Sequence, residues 1–220
     1  AKESGIVYSG TAGDEPGAIV DLYDFCKNCG FEVLVLGKGK NNALDNYATQ
    51  DDLAQDAKRR GINKRMLTSF VDGTNTMIEL NAVCNALGFL PDVRGCHFFH
   101  STPKTLADDI KLKSQGGILN SYGIVDFVKR IAPGVFAIIK TKNEFIRKEM
   151  EYLSMGKGDN FAIYRPFHLT SLETPTSIMR AVLLGDSTIC PKDKPYAETV
   201  AVAKRGIKKG EKLDSIGGYI

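Results

Sequence analysis

Apolar and polar positions follow two different periods along this chain, and together they predict an α/β protein with a parallel or mixed sheet flanked by helices. Short, mostly apolar runs are typical of buried strands, and apolar residues spaced three to four apart are typical of helices that cover a sheet. Strands are predicted over Ile6–Tyr8, Glu32–Leu36, Val125–Val128, Gly134–Lys140 and Phe161–Tyr164. Helices are predicted over a segment containing Ile19, Leu22, Cys26 and Cys29, and over Asp51–Arg60, Asn63–Phe70, Met77–Leu87, Thr105–Leu112, Asn143–Leu153 and Leu169–Leu184.

The first forty residues are predicted to form a βαβ unit. The strand Ile6–Tyr8 leads through the loop Gly10–Gly17 into a helix that stops at Gly30. The next strand, Glu32–Leu36, runs into the loop Gly37–Asn42. Because each loop follows a strand of the same parallel sheet, we expect both loops at its carboxyl edge, where open α/β sheets bind their ligands.

The two ends of the chain differ from its middle in their sequence pattern. Ile6 enters almost at once as a strand, and Tyr219 comes directly after a Gly-Gly turn, so we expect the chain to be a piece of a longer protein. After Cys190-Pro191, the segment Thr199–Ala203 and a turn at Gly206 predict a β-hairpin that belongs to a small separate module.

Composition narrows the classes of function. The formal net charge is only +3 and the charges of both signs are interspersed, which argues against a nucleic-acid-binding face. No apolar run reaches the roughly 20 residues of a membrane span, and the first residues do not resemble a signal peptide. Five cysteines, an odd number, argue against a disulfide framework and favour a cytoplasmic protein.

Two cysteine or histidine patterns suggest redox or metal chemistry, and neither is complete. Cys26 and Cys29 fall at the end of their helix, where the helix dipole opposes a thiolate, so they are predicted to be buried structural thiols. Cys96, His97 and His100 lack a second pair of ligands, so no metal site is predicted. The alternative for the histidines is that one of them faces a substrate from a loop.

The glycine-containing loops are the first candidates for chemistry. Gly10, Gly13 and Gly37 would let the backbone approach a cofactor closely, and Lys38 and Lys40 would supply positive charge for a phosphate or carboxylate. Asn41 and Asn42, which follow directly, are predicted to bind the substrate. The alternative is two glycine-rich turns with solvated lysines, since neither a G-x-G-x-x-G after the first strand nor a P-loop is present.

Two further groups of polar residues are candidates. Asp72, Thr74 and Glu79 surround the start of a helix, where they would bind substrate hydroxyls or relay a proton, or would only cap the helix. Arg165 and His168 join a strand to a helix. Arg165 would clamp a substrate anion and His168 would act as an acid or base, the alternatives being a rim arginine and a capping histidine.

Five motifs occur in an order that resembles the homoserine-dehydrogenase-like oxidoreductases with a C-terminal SAF domain, a family that includes deoxyxylulose-phosphate reductoisomerase-like members. The motifs are Ser9–Gly17, Gly37–Asn42, Ser69–Thr74, Tyr164–Leu169 and Val202–Arg205. The resemblance implies that residues 1–50 end a Rossmann-type nucleotide-binding domain, that 51–190 form a central α/β catalytic domain, and that 191–220 begin a SAF-like β-module.

The resemblance also implies a function. It indicates an NAD(P)-dependent oxidoreductase, with NAD or NADP as cofactor, a small anionic substrate such as a hydroxy acid, polyol or sugar phosphate, and a homodimer. Because most of the nucleotide-binding segment is expected to lie outside this chain, the chain by itself is expected to be inactive. The alternatives are a reductoisomerase or lyase of a phosphorylated sugar, for which a divalent metal would be expected, and a non-catalytic ligand-binding or oligomerisation module.

Overall fold

The structure is a computed structural model that describes residues 2–219. It contains one mixed sheet flanked by helices, which confirms the predicted α/β fold. Its strand order is β2-β4-β1-β5-β6, and β3 also pairs with β4. Strands β1, β2 and β3 run parallel to β4, whereas β5 is antiparallel to both β1 and β6. The strands are β1 (Glu32–Lys40), β2 (Leu90–Pro91), β3 (Phe99–His100), β4 (Ile124–Lys129), β5 (Val135–Lys140) and β6 (Phe161–Arg165).

The helices begin and end where local chemistry dictates. Asn63 and Asn143 each accept two backbone N–H groups at a helix start, and Gly61 and Gly185 end helices with a positive φ. Two short 3₁₀ helices cover Lys2–Ser4 and Lys113–Gln115. The α-helices are α1 (Glu15–Asn28), α2 (Ala54–Arg60), α3 (Lys64–Val71), α4 (Thr74–Leu87), α5 (Leu106–Asp109), α6 (Glu144–Tyr152) and α7 (Thr174–Leu184).

The chain divides into two compact units. One comprises the residues up to Asn41 together with Ala82–Ala197, and it contains the whole sheet. Its helix α1 packs on β1 and β5, and its core includes the fully buried side chains of Leu106, Phe136 and Ile138.

The second unit comprises Asn42–Asn81 and the segment from Glu198 onward. In it α2 packs on α3 around a small apolar cluster that includes Ala57 and Leu67. The domain boundaries expected from the family resemblance remain a prediction. Within residues 2–219, no helix combines the length and the apolar character that crossing a membrane requires.

The first predicted strand is wrong. Ile6, Val7 and Tyr8 belong to no strand, and Ile6 and Tyr8 leave 64% and 61% of their surface exposed. The only ladder contact nearby among the described residues is an isolated antiparallel bridge between Gly10 and Ile189. Residues 2–40 therefore do not form the predicted βαβ unit, and the Gly10–Gly17 loop does not follow a strand of the sheet.

The predicted loop at Gly37–Lys40 is also wrong, because these four residues are the last part of β1. Glycine is required there by close packing. A Cβ on Gly37 would lie 2.2 Å from the carbonyl oxygen of Asp126, and one on Gly39 would lie 2.1 Å from the backbone nitrogen of Ala132. Glycines at this spacing are typical of a turn in the sequence, but here they allow neighbouring backbone to approach the strand closely.

Three further predictions need correction. The helix predicted over Thr105–Leu112 is only the four residues of α5, and the helix predicted from Leu169 begins at Thr174, with Pro175 in its first turn. The hairpin predicted over Thr199–Ala203 is not formed, since residues 190–219 contain no strand. The alternating apolar residues of that segment find no partner strand, and Val200 and Val202 remain exposed.

Candidate active site

A row of basic side chains crosses one face of the sheet at the carboxyl ends of β1, β4 and β6. Lys38 of β1 and Arg165 of β6 are both register partners of Val135, and Lys40 of β1 is the partner of Lys129 at the end of β4. Directly paired residues on neighbouring strands point to the same face, as do residues two apart on one strand. We call these four residues, Lys38, Lys40, Lys129 and Arg165, the basic row.

Lys38 lies at the centre of a buried group of three charged or titratable side chains. Its Nζ is 2.8 Å from Oε1 of Glu15, in the first turn of α1. The same oxygen is 3.3 Å from Nε2 of His168, which follows β6. The side chains of Lys38, Glu15 and His168 are only 6%, 18% and 13% exposed. One carboxylate oxygen therefore bridges a lysine and a histidine, and we call the three residues the Lys38–Glu15–His168 group.

The protonation of this group follows from its contacts. Burial acts to raise the pKa of Glu15, but the hydrogen bond from His168 and the charge of Lys38 outweigh it and lower that pKa to about 2. The hydrogen bond to Glu15 raises the pKa of His168 above its usual value, against the opposing effect of burial. Glu15 is therefore ionised at neutral pH, and the imidazolium form of His168 is favoured.

His168 is held in place by the loop that precedes α1. Its Nδ1 lies 2.8 Å from the carbonyl oxygen of Gly13, and because a carbonyl can only accept, Nδ1 carries a proton. Gly13 has φ +83°, and a Cβ there would lie 2.5 Å from the carbonyl oxygen of Leu169. Glycine at position 13 thus allows the loop that carries His168 to approach the start of α1. The hydrogen bond from Nδ1 to the carbonyl oxygen of Gly13 leaves Nε2 as the ring nitrogen that faces Glu15.

Arg165 is oriented by the loop that follows β6. Its Nη2 is 2.6 Å from Oε1 of Glu173, which also accepts the backbone N–H of Leu169 at 2.9 Å. The hydrogen bond from Arg165 lowers the pKa of Glu173. The Arg165 guanidinium lies 5.0 Å from the ring centre of Phe167. Glu15 therefore pairs with Lys38 and Glu173 with Arg165, so each of these two acids neutralises one charge of the basic row.

The predicted residues around α4 lie in the second unit and have local partners there. Asp72 accepts the backbone N–H of Thr74 at 2.9 Å through one oxygen and pairs with Lys204 at 2.7 Å through the other. Asn75 donates to Glu79, one turn further along the helix. These contacts match the helix-capping alternative for Asp72 and add an ion pair to it. The proposed role of Asp72, Thr74 and Glu79 in binding substrate stays a prediction.

The two asparagines that follow β1 are held by other residues. Asn41 donates to the carbonyl oxygen of Ala132 at 3.3 Å in the first unit, and Asn42 accepts from Arg60 at 3.0 Å in the second. Lys140, at the end of β5, is the register partner of Glu32 at the beginning of β1. It therefore lies at the opposite edge of the sheet from the basic row.

The glycines predicted to bind a cofactor are packed against protein atoms. Gly37 and Gly13 have the close contacts described above, and a Cβ on Gly10 would lie 2.6 Å from the side chain of Ile189. The adjacent helix start carries the ionised Glu15, which would repel a pyrophosphate. The role of Gly10, Gly13 and Gly37 in binding a cofactor stays a prediction, and we assign no step to a cofactor there.

The cysteines and histidines have structural surroundings. Burial raises the pKa of Cys26 to about 12, as expected of a buried thiol, whereas Cys29 is exposed, so the prediction for Cys29 is wrong. Cys29 follows the last residue of α1 and so leaves the buried stripe of the helix. His97 pairs through Nε2 with Asp92 at 2.6 Å. No cluster of three or more metal-ligating His, Cys, Asp or Glu side chains occurs within residues 2–219.

Sequence reasoning missed three residues of this region: Glu15, Lys129 and Glu173. The only signal from Glu15 was an acidic residue in the first turn of a helix, which the helix dipole explains without any function. Lys129 and Glu173 had no distinguishing pattern. Their importance depends on strand register and on the path of the loop after β6, and neither can be derived from local spacing.

An α/β sheet with buried charged groups at the carboxyl ends of its strands is the architecture of many α/β enzymes. The comparison with known families makes the class specific, because the profile of the family described as "Oxidoreductase DRL, catalytic domain" matches residues 13–174. The chain belongs to this family, and the match includes every member of the basic row and of the Lys38–Glu15–His168 group. No curated protein was found to match the chain.

Proposed function

We propose that this chain carries the substrate-binding and catalytic part of an NAD(P)-dependent oxidoreductase that acts on a small anionic substrate, such as a hydroxy acid, polyol or sugar phosphate. The observation that carries the proposal is the buried Lys38–Glu15–His168 group beside the basic row. Membership of an oxidoreductase family supports the class of reaction. We base two finer proposals on the sequence motifs alone. The enzyme is similar to the homoserine-dehydrogenase-like group, and Val202–Arg205 belongs to the start of a SAF domain.

The proposed residues fall into two groups, those that bind the substrate anion and those that handle the proton of the reacting oxygen. Lys40, Lys129 and Arg165 are proposed to bind the substrate anion, since these basic side chains share one face at the carboxyl ends of neighbouring strands. Lys38 is proposed to polarise the carbonyl or hydroxyl oxygen that changes oxidation state. His168 exchanges the proton of that oxygen, and Glu15 positions both groups and stabilises the imidazolium. NAD or NADP is the proposed redox cofactor, and the residues assigned here serve the substrate and not the dinucleotide.

The experiment compares Lys38→Met with Lys140→Met, since both lysines belong to the same sheet but lie at opposite edges. Measured with the full-length enzyme, nicotinamide-linked turnover of a panel of hydroxy acids and sugar phosphates should fall at least tenfold in Lys38→Met, equivalent to roughly 1.4 kcal/mol or more. Turnover should remain near normal in Lys140→Met.

A binding measurement complements the kinetics. Inorganic phosphate, titrated into the chain and followed by NMR, should shift the amide signals around β1 and β6, and Lys38→Met should weaken that binding. Lys38→Arg, which keeps the charge, should restore the binding but not the turnover. Equal turnover in Lys38→Met and Lys140→Met would remove Lys38 from the mechanism.

A further inference from the structure

His100 extends the basic row by one strand. It is the second residue of β3, where it is the register partner of Lys129 at the end of β4, and Lys129 is in turn the partner of Lys40 in β1. Directly paired residues on neighbouring strands point to the same face of a sheet, and neighbouring strands lie about 4.8 Å apart. An imidazole and two ammonium groups therefore lie side by side on three neighbouring strands, at the carboxyl edge of the sheet.

The end of the row formed by Lys129 and His100 is open to an anion. His100 is exposed and Lys129 is half-buried. Within residues 2–219, neither side chain forms a hydrogen bond or an ion pair with another residue. Both carry N–H donors, and two such donors side by side on a face of positive charge are suited to an anion with several oxygens.

The neighbouring His97 has a different role. Its Nε2 is 2.6 Å from Oδ2 of Asp92, whose side chain is 2% exposed. Asp92 also accepts the backbone N–H groups of Asn120 at 2.9 Å and Ser121 at 3.2 Å. His97 therefore has a structural partner, and His100 is the histidine of this segment that lies in register with the basic row.

The segment before β3 is held in a strained conformation. Cys96 and Phe98 have φ +64° and +57°, in the left-handed region that residues other than glycine seldom adopt, so this conformation costs free energy. The buried carboxylate of Asp126, in β4, holds it in place. One of its oxygens accepts the backbone N–H of His97 at 2.9 Å, and the other accepts that of Phe98 at 3.1 Å.

Phe98 links this strained segment to the ring of His100. Its ring stacks on that of the buried Phe127 with the centres 4.7 Å apart, and it meets the His100 ring edge-on at 5.7 Å. Phe127 is the register partner of Lys38, so it lies on the face of the basic row. Strained backbone persists where the surrounding structure fixes it, and it is concentrated at functional sites. Here the strained segment sets both the register of β3 and the orientation of the His100 ring.

We propose that His100 is a further substrate-binding residue, whose imidazole donates a hydrogen bond to the anionic group that Lys129 binds, a phosphate or a carboxylate. Phe98 and Asp126 are positioning residues for it. This inference deepens the proposed function and rests on it, because the anion is that of the proposed substrate.

Anion titrations of the 220-residue chain, followed through the ring signals of its three histidines in proton–carbon NMR, test the proposal. Inorganic phosphate should shift the ring signals of His100, whereas those of His97, which is paired with Asp92, should stay in place. His100→Ala should weaken phosphate binding at least fivefold, the order of magnitude of one hydrogen bond to a charged group. His100→Gln, which keeps an N–H donor, should restore most of the binding.

The matched control is Arg94→Ala, which removes an exposed cation from the segment between β2 and β3, outside the basic row. It should bind phosphate like the wild type. Acetate, titrated in parallel, distinguishes the two kinds of anionic group, because the probe that binds more tightly identifies whether the site prefers a phosphate or a carboxylate. The amide signals of β5 check that each variant keeps its fold.

A double variant tests the positioning role of Phe98. Phe98→Leu should weaken phosphate binding in the wild type but should have no further effect in the His100→Ala background, since Phe98 acts through His100. A general loss of structure would weaken binding in both backgrounds, and this result would contradict the positioning role.

The remaining outcomes separate this inference from the proposed function. Phosphate binding that shifts the amide signals of β1 and β6 but not the His100 ring, and that His100→Ala leaves unchanged, would overturn the role of His100 alone. Equal weakening by His100→Ala and Arg94→Ala would also overturn it, since the effect would then be one of general charge. A wild type that binds neither anion would overturn this inference together with the proposed anion site.

Discussion

At the residue scale, Glu15 uses a single carboxylate oxygen to serve two different cations. That oxygen lies 2.8 Å from Lys38 and 3.3 Å from His168. A buried lysine and a buried imidazolium would repel each other without an anion between them, and Glu15 supplies it. The residue is therefore a positioning residue for both, and its removal should be visible in the pH dependence of stability as well as in activity.

The pH dependence has a defined sign. Glu15 has a lowered pKa, so its contribution to stability is present above the unfolded value of 4.5 and is lost as the pH falls toward 2. His168 has a raised pKa, so its contribution is complete below the unfolded value of 6.5 and is lost as the pH rises through the folded value. Both contributions are present together between about pH 4.5 and 6.5.

Glu15→Gln should therefore lower the free energy of unfolding most between pH 4.5 and 6.5. The difference from the wild type should narrow on both sides of this window, which urea unfolding at a series of pH values measures. Glu173→Gln is the control. Its partner is an arginine and not a histidine, so its difference from the wild type should narrow on the acid side only. A Glu15→Gln difference that is constant from pH 4.5 to 9 would contradict the pairing with His168.

Single residues also show what the sequence could and could not predict. Lys38, Arg165 and His168 were identified from their type and from their placement near strand ends, and the structure places all three at one edge of the sheet. Glu15 was missed because its value comes from the contact between α1 and β1, across residues that local patterns do not connect. Asp72 has the capping contact that the sequence allowed, but its ion pair with Lys204 spans the chain and had no local signal.

At the scale of elements, periodicity located most helices and strands, and packing decided their ends. The apolar stretches of β4, β5 and β6 and the helices α3, α4 and α6 were predicted nearly in full. Strand β1 was cut short at Leu36, because Gly37 and Gly39 have the sequence signature of a turn. Their function as points of close approach depends on Asp126 and Ala132, which come much later in the chain.

Helix starts provide a prediction at this scale. Asn143 accepts the N–H groups of Phe145 and Ile146 at 2.9 and 3.3 Å, so Asn143→Ala should destabilise the first unit by about 1 kcal/mol. Asp14 holds the same position before α1 but makes no capping hydrogen bond with its side chain. Asp14→Ala should therefore lower the free energy of unfolding by clearly less than Asn143→Ala does. Chemical denaturation of both variants measures the difference, and equal losses would contradict the capping role of Asn143.

At the scale of the whole molecule, the second unit is assembled from two distant parts of the chain. Lys204 comes from the C-terminal segment and is 5% exposed. Its Nζ donates to Asp72 at 2.7 Å, to the carbonyl oxygen of Ala48 at 2.8 Å and to that of Gly218 at 2.9 Å. Arg65 adds hydrogen bonds to Ser215 and Ile216. Polar contacts therefore hold this segment, which contains no strand.

Loss of Lys204 should open the second unit. Lys204→Met leaves the carboxylate of Asp72 buried without its cation, which costs about 3–5 kcal/mol. Hydrogen exchange of the α2 and α3 amides should accelerate, while that of the sheet should change little. Lys212→Met, at an exposed position of the same segment, is the control and should behave like the wild type.

A double variant separates the charge from the packing. Asp72→Asn in the Lys204→Met background removes the unpaired carboxylate and keeps an oxygen to accept the N–H of Thr74. It should recover part of the lost stability. No recovery would mean that the buried charge is not the cause of the loss.

The strand order has a consequence for how the chain folds. The central strand β1 finds both of its neighbours far along the sequence, since Val35 pairs with Ile124 and Leu36 with Ala137. Closing loops of this size costs chain entropy before the strand pairing can contribute any stabilising free energy. Proteins with such topologies therefore fold slowly. During synthesis, β1 leaves the ribosome early and waits without a partner until β4 and β5 have followed. Its apolar run Val33–Leu36 is then exposed, and an unpaired apolar strand of this kind is prone to aggregate.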